Sequence, residues 1–370
     1  MKLTRDVLRR MPKVLLHDHL DGGLRPRTVV ELADEYGVEL PTRDPAALER
    51  WFHTGAMVGN LPQYLQGFSV TTSVMQHRDA LERVAEEMLE DMAADGVVYV
   101  ETRFSPLFHT RGGLKHHEVL EAVIKGLDRG RENFGVRWGI ILCAMRSMDP
   151  MTSLEMAELA VAYRNSGIVG FDLAGDEMGY PPKDHLDAFQ YVQRQNFNIT
   201  IHAGEAFGKE SIWQALQFCG AHRIGHGTRL REDLFLERER VVAIGTLAGY
   251  VLDKRVPLEV CLTSNLHTGA AKSYEDHPFR YFLDKRFRIT LNTDNRLMSN
   301  VSMTGEYEVA ANQFRLDFND LEKIAINSMK SSFLPYRERL GVIYDILKPG
   351  YGRLREELGV APLSLPLILP

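Results

Sequence analysis

The stretch KVLLHDHLDGG, residues 13–23, places two histidines and an aspartate at every second position directly after a short apolar run. Successive side chains of a β-strand point to opposite faces, so the stretch predicts a strand from which His17, His19 and Asp21 project on one side. Two imidazoles on one strand face are half of a metal site, because zinc is usually held by three or four such ligands. Further ligands must then come from other parts of the chain.

Short apolar runs rich in valine and isoleucine recur along the chain and alternate with helical patterns, which is typical of an α/β protein. Their near-continuous apolar character predicts parallel strands that are buried on both faces. Between them lie amphipathic segments such as 77–96 and 151–167, each closed by a glycine suited to a helix C-cap. The eight predicted strands are 14–21, 97–104, 138–145, 169–175, 198–204, 223–227, 257–265 and 288–294.

Eight such units favour a closed (β/α)8 TIM-type barrel over an open doubly wound sheet, and no G-x-G-x-x-G follows the first strand. Extra helices are expected in 28–92, between the first two strands, and in 304–360 near the C-terminus. No linker or repeat divides the sequence, so we expect a single domain over residues 1–370.

The composition, 44% hydrophobic and 25% charged, is that of a globular protein with a sizeable core. A net charge of −6 argues against broad electrostatic binding of nucleic acid. The three cysteines, Cys143, Cys219 and Cys261, lack the spacing of a disulfide framework or a cysteine zinc site, which fits a reducing cytoplasm.

The two ends of the sequence carry no address or anchor that can be recognised. The start, MKLTRDVLRRMPK, lacks the apolar region of a signal peptide, and no stretch approaches a membrane span, so we expect a cytoplasmic protein without a membrane partner. The apolar tail APLSLPLILP, residues 361–370, is expected to pack on the body of the protein or on another subunit. A homo-oligomer therefore stays open.

Ionisable residues collect at the C-terminal ends of the predicted strands, where barrel enzymes carry their catalytic residues. Charged and imidazole groups inside apolar strands are costly unless they are paired or bind metal. The residues concerned are His17, His19 and Asp21 on the first strand, His202 and Glu205 on the fifth, His226 on the sixth, and Asp294 and Asn295 on the eighth.

Three histidines and one aspartate from this set, His17, His19, His202 and Asp294, predict a mononuclear metal site with a position left for water, as in catalytic zinc sites. Iron, manganese and cobalt stay open, because imidazole and carboxylate ligands do not select sharply among these metals. A bound divalent ion lowers the pKa of its water to about 7, so the site predicts a hydrolase.

Two further residues complete the hypothesis. Glu205 follows the ligand His202 by three residues and is predicted to face the substrate as a general acid, provided that its surroundings raise its pKa. His226 is predicted to orient the attacking water, in addition to binding the metal or instead of it.

The motifs HDHLDGGLRP, FDLAGDE, HAGE, RIGHG, SNLHTGA and LNTDN, in this order, resemble those of the adenosine deaminase family of metal-dependent barrel hydrolases, over residues 12–300. The chain is unlike the cytidine-type zinc deaminases, whose H-x-E and P-C-x-x-C signature is missing. The resemblance implies hydrolytic deamination of adenosine and 2′-deoxyadenosine to inosine, deoxyinosine and ammonia, in purine salvage, with one Zn²⁺ per chain.

The resemblance also implies a role for each site residue. It makes His17, His19, His202 and Asp294 the zinc ligands, as their spacing had already suggested. Its catalytic residues are Glu205 at purine nitrogen 1, His226 beside the hydroxide and Asp294 at the attacking water. Its substrate contacts are His19, Asp21 at the ribose 5′-hydroxyl, the backbone amide of Gly175 at purine nitrogen 3, and an apolar lid, 61–65, with Leu61 and Tyr64.

One position departs from the family pattern. Many members have two consecutive aspartates where this chain has Asp294 and Asn295, and the second, when protonated, donates to purine nitrogen 7. An asparagine amide can donate the same hydrogen bond without a raised pKa, so we expect the contact to survive.

Other substrates stay open at this point, namely AMP, free adenine or a modified nucleoside. Asp21 favours a nucleoside, because a carboxylate beside a 5′-phosphate would repel it. A non-catalytic barrel that binds a purine nucleoside is the alternative from another class. The intact ligand set and Glu205 weigh against it.

Overall fold

Eight parallel strands in two four-stranded sheets form the centre of the computed structural model, which describes residues 3–238 and 240–361. In the first sheet β1 to β4 are neighbours in chain order, and in the second the order is β10, β9, β6, β5. A separate antiparallel hairpin contains β7 and β8. The strands are β1 Lys13–His19, β2 Val97–Phe104, β3 Arg137–Met145, β4 Ile168–Ala174, β5 Thr200–Ala203, β6 Arg223–His226, β7 Leu234–Glu237, β8 Arg240–Ile244, β9 Leu258–Val260 and β10 Ile289–Leu291.

The two sheets meet at both edges, which closes the ring of strands. On one side Asp294 pairs in parallel with Asp18, and the Asp294 N–H donates to the His17 carbonyl at 2.9 Å. On the other side Phe171 pairs with Ile199, and the Phe171 N–H donates to the Asn198 carbonyl at 3.0 Å. These bridges and the parallel order confirm the predicted (β/α)8 barrel.

The strands are apolar along their length because helices cover the outside and side chains fill the inside. In β3, Ile140, Ile141 and Leu142 are all fully buried, although successive residues point to opposite faces. Each such side chain contributes roughly 1.5–3 kcal/mol by leaving water. One continuous buried core includes Leu8, in the helix Arg5–Arg10, and Leu354, in the helix Lys348–Leu358.

Helices connect the strands and surround them, with the predicted additions between β1 and β2 and after β10. Gly37 follows the helix Pro26–Tyr36 and Gly135 follows the helix His116–Phe134. Both glycines have the left-handed backbone typical of a helix C-cap. The α-helices are α1 Arg5–Arg10, α2 Pro26–Tyr36, α3 Pro45–Ala56, α4 Leu61–Tyr64, α5 Phe68–Val74, α6 Arg78–Ala94, α7 His116–Phe134, α8 Pro150–Ala162, α9 Leu186–Arg194, α10 Lys209–Gln217, α11 Thr246–Asp253, α12 Leu262–His267, α13 Phe279–Asp284, α14 Arg296–Ser299, α15 Met303–Gln313, α16 Phe318–Ser331, α17 Tyr336–Gly341 and α18 Lys348–Leu358.

Two local expectations were wrong, and one pair of strands was not predicted. Strand β1 stops at His19, and Asp21 lies in the 3₁₀ turn Leu20–Gly22, so strand alternation does not set its direction. The predicted strand 257–265 ends at Val260, because the chain turns into α12 at Leu262. The hairpin of β7 and β8 was not anticipated.

Two further predictions concern membrane-spanning segments and the apolar tail. Among the described residues, no helix is long and apolar enough to cross a membrane. The prediction for the apolar tail concerns residues that, apart from Ala361, lie outside the described ranges.

Candidate active site

Four predicted metal ligands converge at the C-terminal end of the barrel. The Nε2 atoms of His19 and His202 lie 3.2 Å apart. Asp294 Oδ1 lies 3.3 Å from His17 Nε2 and 3.3 Å from His19 Nε2. Since β1, β5 and β10 are parallel, their ends meet at one side of the barrel, and this brings together ligands that are far apart in the sequence.

The donor set fits a divalent metal ion. All four side chains are buried, and His17 Nε2 has no hydrogen-bond partner among the described residues. Ligand atoms of His17, His202, His226 and Asp294 also lie within 4.8 Å of one another. A buried ring nitrogen without a partner is costly, and a cation that accepts its lone pair removes the cost.

Carboxylates behind two of the histidines orient their rings. His17 Nδ1 lies 2.9 Å from Glu259 Oε2, and His202 Nδ1 lies 2.9 Å from Asp172 Oδ2. An imidazole whose Nδ1–H donates to a carboxylate keeps its Nε2 lone pair free, which is the form that binds metal. Both histidines therefore present a lone pair to the centre of the site.

A single guanidinium joins the two carboxylates. Arg103 donates to Asp172 Oδ2 at 2.9 Å and to Glu259 Oε2 at 2.8 Å, and all three side chains are fully buried. Burial alone would raise the pKa of Asp172, but His202 and then Arg103 hold it far below its usual value. In the same way Arg103 and then Arg223 overcome burial and hold the pKa of Glu259 well below its usual value. Both carboxylates are therefore anionic partners for the imidazoles.

Asp294 is held by its backbone and by a neighbouring hydroxyl. Its φ is +62°, in the left-handed region, and the His19 N–H donates to its carbonyl at 2.8 Å. The Ser264 hydroxyl donates to its Oδ2 at 2.6 Å. Burial would raise the pKa of Asp294, but the neighbouring imidazoles of His17 and then His226 hold it well below its usual value. The group is therefore an anion.

Glu205 has the protonation state that a general acid needs. Burial, and then the charge of Asp294, raise the pKa of its carboxyl well above the usual value. Glu205 Oε2 lies 3.4 Å from His226 Nε2, and Oε1 has no hydrogen-bond partner among the described residues. This shift favours the protonated carboxyl, the form that a general acid uses, and Oε1 is available to a substrate.

The loop that carries Glu205 is held by Glu177. One carboxylate oxygen of Glu177 accepts the N–H of Gly204 at 2.6 Å, and the other accepts three more. These three are the backbone N–H groups of Glu205 at 2.9 Å, Ala206 at 2.7 Å and Phe207 at 3.0 Å. Four donors on one buried carboxylate fix the backbone from which Glu205 projects.

A cavity of about 240 Å³ lies beside the ligand cluster and can accept a substrate. Gly175 is at its wall with φ +99°, a backbone that other residues rarely adopt, and it leaves the amide accessible to a ring. No lysine or arginine is among the described lining residues. They are His19, Asp21, Leu65, Phe68, Phe104, Ser105, Phe108, Cys143, Met145, Ser147, Ala174, Gly175 and Asp176.

Asp21 lies at this cavity with unused hydrogen-bonding capacity. It is 3% exposed, and its Oδ1 has no partner among the described residues. The nearest cationic candidate is His109, whose Nε2 lies 3.6 Å from Asp21 Oδ2 and also has no partner there. A ligand hydroxyl, which both donates and accepts, matches this pair of atoms.

The lid and Asn295 are buried next to the site. Tyr64 and Leu61 belong to α4, and the Tyr64 hydroxyl hydrogen-bonds to Ser299 Oγ at 2.9 Å. Leu61 and Tyr64 are not among the described residues that line the cavity beside the ligands, whereas the nearby Leu65 and Phe68 are. Asn295 is 3% exposed and packs against Gly22, and its Oδ1 has no partner among the described residues.

Sequence reasoning missed the supporting residues Asp172, Glu177, Glu259 and Arg103. A signal was present, because Arg103, Asp172 and Glu259 stand inside the apolar strands β2, β4 and β9. An isolated charge in a strand that is buried on both faces requires a partner. The pairing itself joins residues 69 to 156 positions apart and leaves no local pattern.

Comparison with known proteins identifies the family. A family profile described as adenosine deaminase matches residues 12–349. "Adenosine deaminase 1" of Streptomyces coelicolor is 53% identical over 358 residues, which cover 95% of this chain and 90% of that protein.

Two solved structures share the fold. A zinc-bound amidohydrolase from Burkholderia ambifaria has a TM-score of 0.84 at 22% identity and covers 98% of this chain and 97% of its own. Arabidopsis ADAL in complex with IMP has a TM-score of 0.80 at 26% identity and covers 94% and 98%. With the profile match over most of the sequence and a relative above half identity, the chain belongs to the adenosine deaminase family.

Proposed function

We propose that this protein hydrolyses adenosine and 2′-deoxyadenosine to inosine, deoxyinosine and ammonia, with one Zn²⁺ per chain, as a step of purine salvage. The observation that carries the proposal is the meeting of four buried ligands with Glu205, whose carboxyl pKa is raised by burial and by Asp294, at one end of the barrel. The name of the Streptomyces relative supports the substrate.

His17, His19, His202 and Asp294 would hold the metal. The chemistry that a bound zinc ion supplies is a water whose pKa is lowered to about 7, hence a hydroxide nucleophile at neutral pH. Three imidazoles and one carboxylate are a ligand set that zinc accepts.

The proposed reaction uses proton positions that the side chains already have. Protonated Glu205 donates its proton to purine nitrogen 1, which withdraws electrons from carbon 6 and prepares it for addition of hydroxide. Anionic Asp294 accepts a proton from the attacking water, and His226 orients that water. The bond from carbon 6 to the amino nitrogen then breaks as the added hydroxyl becomes a carbonyl. The amino group leaves as ammonia with the proton that Asp294 took from the water, and the hydroxyl proton returns to Glu205.

The substrate contacts fix the purine and the sugar. The Gly175 amide would donate to purine nitrogen 3, and the Asn295 amide to nitrogen 7. Asp21 would accept from the ribose 5′-hydroxyl, with His19 beside it. The lid with Leu61 and Tyr64 would exclude water from the ring.

A nucleoside fits this cavity better than a nucleotide. The Arabidopsis neighbour is in complex with IMP, a nucleotide. In this chain the described cavity wall has the carboxylate Asp21 and no lysine or arginine to offset its repulsion of a 5′-phosphate.

We also propose a domain organisation, a location and the partners of the enzyme. A single domain over residues 1–370 is supported by the continuous core that α1 and α18 share with the barrel. A cytoplasmic location is supported by three buried cysteines without disulfides. The proposed partner is the small purine nucleoside, without nucleic acid or membrane, and self-association into a homo-oligomer is compatible with the proposal.

The test is ammonia release by protein of known metal content, with adenosine, deoxyadenosine, AMP and adenine supplied separately. The proposal predicts release from the two nucleosides. Preference for AMP or adenine would overturn the assigned substrate, and release from none of the four would overturn the proposed activity.

A further inference from the structure

A chain of hydrogen bonds runs from the backbone outside the ligand cluster to the back of the His226 ring. The Phe279 N–H lies 3.1 Å from His277 Nδ1. His277 Nε2 lies 3.1 Å from Asn265 Oδ1. The side-chain nitrogen of Asn265 lies 2.9 Å from His226 Nδ1. Asn265, His277 and His226 are all buried, so each of these contacts is made without competition from bulk water.

The backbone fixes the direction of every bond in this chain. A peptide N–H can only donate, so His277 Nδ1 accepts and its single ring hydrogen lies on Nε2. Burial lowers the pKa of His277 to about 3, which keeps the ring neutral. His277 therefore donates to Asn265 Oδ1, and the Asn265 amide turns its NH₂ group toward His226. The Thr228 hydroxyl, 3.4 Å from the same oxygen, supports this orientation.

We propose that His277, acting through Asn265, is a positioning residue that keeps the ring hydrogen of His226 on Nε2, facing Glu205 and the reaction centre. The amide NH₂ cannot accept, so His226 Nδ1 must hold a lone pair and Nε2 the hydrogen. This inference rests on the proposed deamination and adds to it the reason why the fourth histidine of the site acts differently from the others.

His226 differs from the proposed ligands His17 and His202 in the group that its Nδ1 contacts. His17 and His202 have carboxylates behind Nδ1, so their Nε2 atoms offer lone pairs. His226 has an amide donor there, so its Nε2 offers a hydrogen and is closed to metal in this tautomer. His226 also has φ +63°, in the left-handed region that residues other than glycine rarely adopt. His226 is thereby a hydrogen-bond donor at the site and not a metal ligand.

The direct test is ¹⁵N NMR of the histidine rings in the zinc-loaded full-length chain, with the His226 signals assigned by their loss in His226→Gln. The expected spectrum has a protonated Nε2 and an unprotonated Nδ1 for His226. A metal-shifted Nε2, or a protonated Nδ1, would overturn the proposal. The readout does not depend on turnover, so failure of the deamination assay and failure of this inference are distinguishable.

Three variants test this series of hydrogen bonds by changing its donors and acceptors. Asn265→Asp replaces the donor by an acceptor, so His226 should move its hydrogen to Nδ1, and kcat should fall about 10–100-fold with zinc content kept. His277→Leu removes the donor to Asn265 and should lower kcat with a smaller effect on KM. His277→Gln keeps an N–H at that place and should recover most of the loss.

A matched control separates positioning from general damage. His222 also accepts a backbone N–H at Nδ1, from Ile199 at 3.0 Å, but it is exposed and lies immediately before β6, at the other end of the barrel. His222→Leu should leave kcat and the His226 tautomer unchanged. Equal losses in His277→Leu and His277→Gln, with matching thermal midpoints, would overturn the role of His277.

Discussion

The Glu177 carboxylate accepts the backbone N–H of Glu205 at 2.9 Å, so one buried acid holds in place the backbone of another. Glu177 also raises the pKa of Glu205 through its charge, after burial and Asp294. The two acids therefore have divided tasks. One stays an acceptor for the loop, and the other keeps the proton that the reaction uses.

Glu177→Gln should loosen this loop and slow the reaction. The amide nitrogen cannot accept, so at least one of the four backbone N–H groups loses its partner, at a cost of about 1–3 kcal/mol. We expect kcat to fall about 10-fold or more. Amide hydrogen exchange of residues 204–207 should accelerate. The exposed Glu155→Gln serves as the control, and unchanged exchange in Glu177→Gln would contradict the holding role.

Glu205→Gln should keep the metal and lose the general acid. Loss of proton transfer is expected to cost about 10²–10⁴-fold in kcat. The control is Glu210→Gln, the same substitution at an exposed position of α10. Near-normal turnover with full metal content would remove Glu205 from the role.

The pH profile of the unaltered enzyme should follow from the raised pKa of Glu205. The acid acts in its protonated form, which is lost as pH rises through that pKa, so kcat should decline on the basic side. In Glu177→Gln the decline should begin at lower pH, because a charge that raises the pKa has been removed. A shift toward higher pH would contradict the electrostatic account.

Asp172→Asn should weaken metal binding without a change in any ligand. It removes the charge that partners His202 Nδ1 and Arg103, and loss of such outer partners typically costs 10–100-fold in metal affinity. Competition with a chelator of known affinity measures the change. Asp187→Asn, an exposed substitution on α9, should bind metal normally. Equal affinity of the two variants would show that the carboxylate has no influence on the ligand.

Asp21→Ala should weaken recognition of the sugar and leave recognition of the base unchanged. We expect kcat/KM for adenosine to fall by about 10–100-fold, the effect of one lost hydrogen bond to a buried charged acceptor. Activity on 5′-deoxyadenosine, which has no 5′-hydroxyl, should change far less. Equal losses on both substrates would show that Asp21 does not contact the 5′-position.

The predicted fold and metal ligands came from features that repeat along the chain. Apolar strands and C-capped helices recur at regular spacing, and His17, His19, His202 and Asp294 each stand at a strand end, where parallel topology brings them together. The position of the site could therefore be predicted from local patterns and from the rule that the C-terminal ends of barrel strands lie on one side.

The buried ion pairs behind the proposed ligands could not be predicted from local patterns. Arg103 contacts Asp172 and Glu259 across the barrel, and nothing near any of them in sequence indicates the partner. The turn from β9 into α12 at Leu262 also depends on tertiary contacts, because the stretch PLEVCLTSN has the pattern of a longer strand. That turn positions Ser264 and Asn265 against Asp294 and His226.

The central claim is that one metal ion held by the four ligands makes this chain an adenosine deaminase. The direct measurement is stepwise addition of zinc to protein freed of metal by a chelator, with adenosine turnover and bound metal followed in the same sample. Turnover should be absent at the start, rise in proportion to bound zinc and level off at one equivalent per chain. Full turnover without metal, or saturation with no turnover, would contradict the account.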